Sequence, residues 1–148
     1  MNEFTILQDD NEYLQFVLVK TIKNYEYTPN NFTSNYIMNV SLKSDLYKLD
    51  LELEFYRYNL ITFLDSLKSL YSTLNGEAHL NNGFYDNDVM LKVSSVGNLG
   101  NIELDMQIIR YGINSNFSGE DKILFIRGMD QTYLTLLITS LTDFLESN

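Results

Sequence analysis

Residues Asn59 to Gly76 read NLITFLDSLKSLYSTLNG, and this stretch decides the architecture. Leu60, Phe63, Leu64, Leu67, Leu70, Tyr71 and Leu74 recur at steps of three and four, which places them on one face of an α-helix. Asn59 stands where an N-cap belongs, with a side-chain oxygen able to accept from a free backbone N–H of the first turn. Gly76 follows the last periodic residue, where a left-handed closing conformation costs least. A face this apolar must lie against other structure. The segments before and after it have the two-residue period of strands, and only the C-terminal tail offers a second helix.

Before the helix, Glu3–Leu7 predicts a short strand, followed by a turn at Gln8-Asp9-Asp10-Asn11. Tyr13–Ile22 alternates with apolar residues on both faces, which suits a central strand. Asn24, Pro29, Asn30, Asn31, Ser34 and Asn35 mark the first true loop, over 23–35. Tyr36–Leu42 places Tyr36, Met38, Val40 and Leu42 inward. Leu46–Tyr56 is the cleanest strand, with Tyr47, Leu49, Leu51, Leu53 and Phe55 on one face and Lys48, Asp50, Glu52 and Glu54 on the other. The tight Ser44-Asp45 connection predicts that these last two strands form an antiparallel hairpin with one face in water.

After the helix, Glu77–Asn81 predicts a short strand and residues 82–86 a turn. Val89, Leu91 and Val93 form the inner face of the next strand. Beyond a turn at 97–101, Ile102, Leu104, Met106 and Ile108 face inward while Glu103, Asp105 and Gln107 face outward. Residues 112–119 read as a polar loop. Lys122–Arg127 is apolar through its middle and reads as a strand covered on both faces. Asp130 is a good N-cap for the last helix, whose stripe is Leu134, Leu137, Ile138, Leu141, Phe144 and Leu145. The expectation is an α+β fold: antiparallel strands, as one curved sheet or a sandwich, with covering helices at about 59–74 and 131–146. The element order is that of a twofold repeat, although no residue-level match between the halves supports one. At 148 residues the chain is expected to form a single domain.

The formal charge is -10. Ten acidic and six basic residues lie in 1–74, and ten acidic and four basic in 75–148, so the acidity is spread over the chain. Such a charge repels phosphate backbones and anionic membranes and attracts a basic protein. Acidity of this size also serves solubility alone. There are no cysteines, which excludes disulfides, thiol catalysis and cysteine-ligated metals. No apolar run has the roughly 18 residues of a membrane span. The start, MNEFTILQDDNEY, lacks the basic lead and apolar core of a secretion signal, so a cytoplasmic location is expected. The sequons at Asn31, Asn39 and Asn116 then have no role.

No constellation carries catalysis. His79 is the only histidine and reads as structural, having no serine, cysteine or metal partner in its motif. Asp86-Asn87-Asp88 opens like a calcium loop but lacks the glycine and closing glutamate that follow in one. Gly97-Asn98-Leu99-Gly100 lies between strands, whereas a phosphate cradle needs a helix N-terminus there. Neither a cofactor nor a metal is called for. Asp50, Glu52 and Glu54, and likewise Glu103 and Asp105, form carboxylate rows on strand faces. A glycosidase needs two carboxylates facing each other across a cleft, and rows at i, i+2 give a solvated face instead. Rigid rows of this kind set up a fixed negative field that orients docking to a basic protein, which makes these five the candidate partner-binding residues.

Two segments together resemble the WapI family of immunity proteins. These are Phe63–Leu80, FLDSLKSLYSTLNGEAHL, and Ile123–Leu137, ILFIRGMDQTYLTLL, with the strand Ile102–Ile108 entered through Gly100 between them. The resemblance covers the second half of the chain, while residues 1–58 match only in being rich in strands. It implies a cytoplasmic bacterial protein that binds and blocks a cognate toxin domain. Toxins of such systems are often nucleases with basic clefts, which an acidic sheet face would plug. The alternatives are an acidic interaction or scaffold module unrelated to toxins, and a nucleic-acid mimic that inhibits a nuclease.

Overall fold

The structure is a computed structural model, and it describes residues 1–23, 34–83, 88–97, 99–113 and 118–148. Most of the expected first loop, the sequon at Asn31, residues 84–87 with Asp86 and Asn87 of the calcium-like string, Asn98, and residues 114–117 lie outside the described residues.

The element order is four strands, a helix, four strands, a helix: β1 (Glu3–Gln8), β2 (Tyr13–Lys23), β3 (Ser34–Lys43), β4 (Lys48–Tyr56), α1 (Arg57–Thr73), β5 (Glu77–Asn81), β6 (Val89–Val96), β7 (Asn101–Ile113), β8 (Ser118–Met129) and α2 (Gln131–Ser147). Each run of strands is a separate antiparallel sheet whose spatial order follows the chain, β1-β2-β3-β4 and β5-β6-β7-β8. The twofold order is therefore architectural, and the fold is α+β as expected. β3 and β4 form the expected antiparallel hairpin, with Met38 opposite Leu53 and Val40 opposite Leu51.

Each helix finds its main strand neighbour in the other repeat. α1 packs along β5, α2 along β1, and the two helices pack on each other. One edge of each sheet is thereby covered, and β4 and β8 form the opposite edges. Phe4, Phe16 and Phe55 of the first sheet are fully buried with Phe144 of α2. Phe4 stacks on Phe16 with centroids 4.7 Å apart and meets Phe144 edge-on at 5.4 Å. Tyr36 also meets Phe144 edge-on at 5.4 Å, and Phe16 meets Phe55 at 5.6 Å. Such edge-on and offset contacts suit the ring quadrupoles and add to the area buried.

Several expectations need correction. α1 starts at Arg57, two residues before the expected cap, and its N-cap Tyr56 makes no side-chain capping bond. The Arg57 guanidinium donates to the Tyr36 hydroxyl and to the Leu145 carbonyl (3.0 Å), which draws Arg57 into the first turn without a cap. Asn59 instead donates from Nδ2 to the Asn81 carbonyl (3.0 Å), pinning α1 to the end of β5. The left-handed closing residue is Leu74 (φ 51°), with Gly76 also at positive φ (104°) just beyond it. Tyr71 and Leu74 are exposed, so the buried stripe is Leu60, Phe63, Leu64, Leu67 and Leu70.

β7 and β8 run to Ile113 and from Ser118, so strand occupies much of the expected 112–119 loop. β8 is not covered on both faces. It is an edge strand, in which Phe125 is buried while Leu124 and Ile126 are 52% and 44% exposed. An apolar run gives no period by which to tell a two-sided strand from an edge strand with an apolar outer face. α2 is as expected: Asp130 accepts from the Thr132 N–H (2.7 Å), and Leu134, Leu137, Leu141, Phe144 and Leu145 are buried.

Candidate protein-binding face

The five candidate carboxylates fall into two groups on different sheets. Asp50, Glu52 and Glu54 lie on the outer face of edge strand β4, and Glu103 and Asp105 on the outer face of the interior strand β7. They do not form one surface.

On β4 the row is largely engaged within its own sheet. Asp50 accepts from the Ser41 hydroxyl (2.6 Å) and lies 3.5 Å from the Lys48 ammonium. The Ser41 bond, with Lys48 beside it, holds the Asp50 carboxyl below its usual range. Glu54 accepts from the Asn35 side-chain amide (2.6 Å), and Glu52 stands opposite Asn39 in the register. Alternating acids on an open edge also discourage edge-to-edge pairing.

The second sheet offers a different surface. Across its outer face, Glu103 lies between Ser94 of β6 and Gly128 of β8, and Asp105 between Lys92 and Ile126. The Lys92 ammonium is 4.0 Å from Asp105. Gly128 adds no side chain, so Glu103 overlooks an open depression of about 490 Å³ lined also by Val96, Met129, Asp130 and Tyr133. Further along the same outer face of β8 from Gly128 are the exposed Ile126 and Leu124. An apolar pair with carboxylates on the neighbouring strand has the composition of a protein interface: an apolar centre with a polar rim. Sequence reading found Glu103 and Asp105 but missed Leu124, Ile126, Asp130 and Tyr133 as members of a surface. Nothing in the order of residues says that β8 ends a sheet.

His79 lies 3.0 Å from the Glu77 carboxylate on the exposed surface of β5. Among the described residues no group of three or more histidines or acids is placed to hold a metal ion, and no helix is long and apolar enough to cross a membrane.

Among the described residues an ion pair joins the two sheets. Arg127 of β8 donates from Nε to Glu12, in the β1–β2 turn, at 2.8 Å, and its guanidinium sits 4.1 Å over the Phe125 ring. The Arg127 bond holds the Glu12 carboxyl below its usual range. Asp9 is lowered by the backbone N–H groups of Asn11 and Glu12 (both 2.8 Å), Glu77 by His79, and Asp130 by the Thr132 hydroxyl and N–H. All of these carboxyls bind protons less readily folded than unfolded. Their contribution is therefore complete above the unfolded carboxylate range and is lost as pH falls through it into the lowered folded values. Urea midpoints should hold level from pH 7 to about 5 and drop steadily below about 4. A midpoint that stays level to pH 3 would mean these bonds add nothing to stability.

Sequence comparison finds no matching family model and no matching curated protein. Among solved structures, the plant transcriptional regulator PBF-2 aligns with a TM-score of 0.45 at 9% identity, over 97% of this chain and 79% of that one. A likeness at that level carries no argument about function.

Proposed function

We propose that this chain is a non-catalytic immunity protein that neutralises a basic toxin domain in the cytoplasm of a bacterial cell by binding it one to one. The observation that carries this reading is the outer face of the second sheet, where Leu124 and Ile126 are exposed beside Glu103 and Asp105 on a chain of charge -10. The acidic field draws in a basic partner, and the apolar pair supplies surface to bury once it has docked. The resemblance of residues 63–80 and 123–137 to immunity proteins gives the partner its kind: a toxin, with a nuclease's basic cleft as the natural complement.

The test is capture on the tagged full chain from the source cell, elution along a salt gradient, and assay of the captured protein's toxicity with and without this chain. One stoichiometric basic protein whose activity the chain abolishes is the expected result. A partner bound without inhibition would favour a scaffold. Reversal of Glu103 and Asp105 to lysine should weaken binding by about tenfold or more and flatten its salt dependence. Reversal of Asp50, Glu52 and Glu54 should do less, because Asp50 and Glu54 accept hydrogen bonds at 2.6 Å within their sheet, a closer engagement than the 4.0 Å approach of Lys92 to Asp105. The opposite ranking would move the binding face to β4.

A further inference from the structure

β4 and β8 occupy the same place in their repeats, yet their open edges are built differently. β4 carries an acid at every second residue from Asp50 to Glu54, a common guard against strand addition. In β8 the outer face over the same length is Leu124, Ile126 and Gly128, without a charge. Among the described residues no other strand or helix packs along the β8 edge.

The register fixes which backbone groups that edge presents. The Ile109 N–H donates to the Asp88 carbonyl, so the odd-numbered residues of β7 bond toward β6 and the even-numbered ones toward β8. Leu104, Met106 and Ile108 then pair with Arg127, Phe125 and Ile123. The N–H and C=O groups of Leu124, Ile126 and Gly128 consequently point off the edge. The Arg127 guanidinium, at 2.7 Å, covers the Ile126 carbonyl. The rest of that row is a template for another strand.

We infer that the β8 edge takes up an extended segment of the basic partner as a ninth strand beside the second sheet, with apolar residues on Leu124 and Ile126 and an arginine or lysine opposite Gly128. This deepens the binding reading given above and rests on it. A cation opposite Gly128 crosses the bare glycine toward Glu103, about two strand spacings (~10 Å) away, a gap the two long side chains span together. Asp130 and Tyr133 line the same depression. Charge decides against a second copy of this chain as occupant. Self-pairing would set two chains of -10 side by side. Strand addition supplies affinity through backbone bonds and specificity through alternate side chains.

The probe is the acetylated, amidated peptide RTVTVT, which in antiparallel register places its arginine opposite Gly128 and its valines on Ile126 and Leu124. Titrated into the isotope-labelled full chain, it should shift and protect from exchange the amides of Leu124, Ile126 and Gly128. The peptide ETVTVT should bind more weakly. Leu124→Pro should weaken RTVTVT by about tenfold, since it removes an outward N–H without breaking a ladder bond. Leu124→Lys, which leaves the backbone donor in place, checks the apolar contact separately. No response at those three amides up to the solubility limit, or equal binding of both peptides, overturns the inference. So does a dimer in sedimentation that Leu124→Pro dissolves, since the edge would then belong to a second copy. If a toxin is captured and neutralised equally well by Leu124→Pro and Leu124→Lys, the edge inference fails while the functional proposal stands. If RTVTVT docks at the edge but the captured partner is not inhibited, the edge stands and the immunity reading fails.

Discussion

Phe144→Ala should cost about 3–5 kcal/mol of stability, among the largest losses available to a single truncation in this chain. Phe144 is fully buried and meets Phe4 and Tyr36 edge-on, each at 5.4 Å. It is the aromatic contact through which α2 of the second repeat holds the first sheet. Removing the ring loses its transfer free energy and leaves a cavity that cannot close easily. Phe4 is already held by its stack on Phe16, and Tyr36 by the Arg57 bond. A domain of this size has roughly 7–15 kcal/mol in hand, so the variant should fold, with a clearly lower urea midpoint and an unchanged slope. Leu136→Ala, at a position 63% exposed on the same helix, is the control and should change little. A loss under about 1.5 kcal/mol at Phe144 would mean that α2 docks loosely and the cavity collapses.

How much of this was legible in the sequence depends on the range of the interaction. Local patterns predict every strand and both helices: alternation from one-sided burial in most strands, an unbroken apolar run in β8, and steps of three and four in the helices. The Asp130 cap was equally local: a short acceptor two residues ahead of the N–H it serves. The misreadings concern partners far away in the chain. Asn59 looked like a cap but donates to Asn81, and the helix begins instead at Arg57, whose partners are Tyr36 and Leu145. Ile123–Ile126 looked doubly covered because an apolar run says nothing of what lies on either side of it. The candidate site divides in the same way. The parity of β7 put Glu103 and Asp105 on an outer face, while the apolar pair beside them and the bare Gly128 became a surface only once β8 was placed at the edge. The exchange of helices between repeats has no local signature at all.

That exchange makes Arg57→Met the sharpest test of how the halves are joined. Arg57 is the first residue of α1, and from there its guanidinium reaches the hydroxyl of Tyr36 in the first sheet and the carbonyl of Leu145 near the end of α2. Tyr36 is fully buried, so its hydroxyl has no recourse to bulk water when the guanidinium is removed. Leu145 is one of the last four residues of α2, whose carbonyls lack partners within the helix and favour a nearby cation. Methionine keeps most of the stem's packing but supplies no donor. The expected loss is about 1–3 kcal/mol, the cost of stranding a buried polar group together with a helix-end carbonyl. Tyr36→Phe in the Arg57→Met background should recover part of that loss, because it removes the stranded hydroxyl while keeping the ring against Phe144. In the wild-type background the same substitution should destabilise, since it takes away a bond that is made. Unfolding midpoints for the four proteins of this cycle give the coupling directly. Additive effects would show that Tyr36 and Arg57 contribute independently, which would leave the bond to the Leu145 carbonyl as the part Arg57 plays in joining the halves.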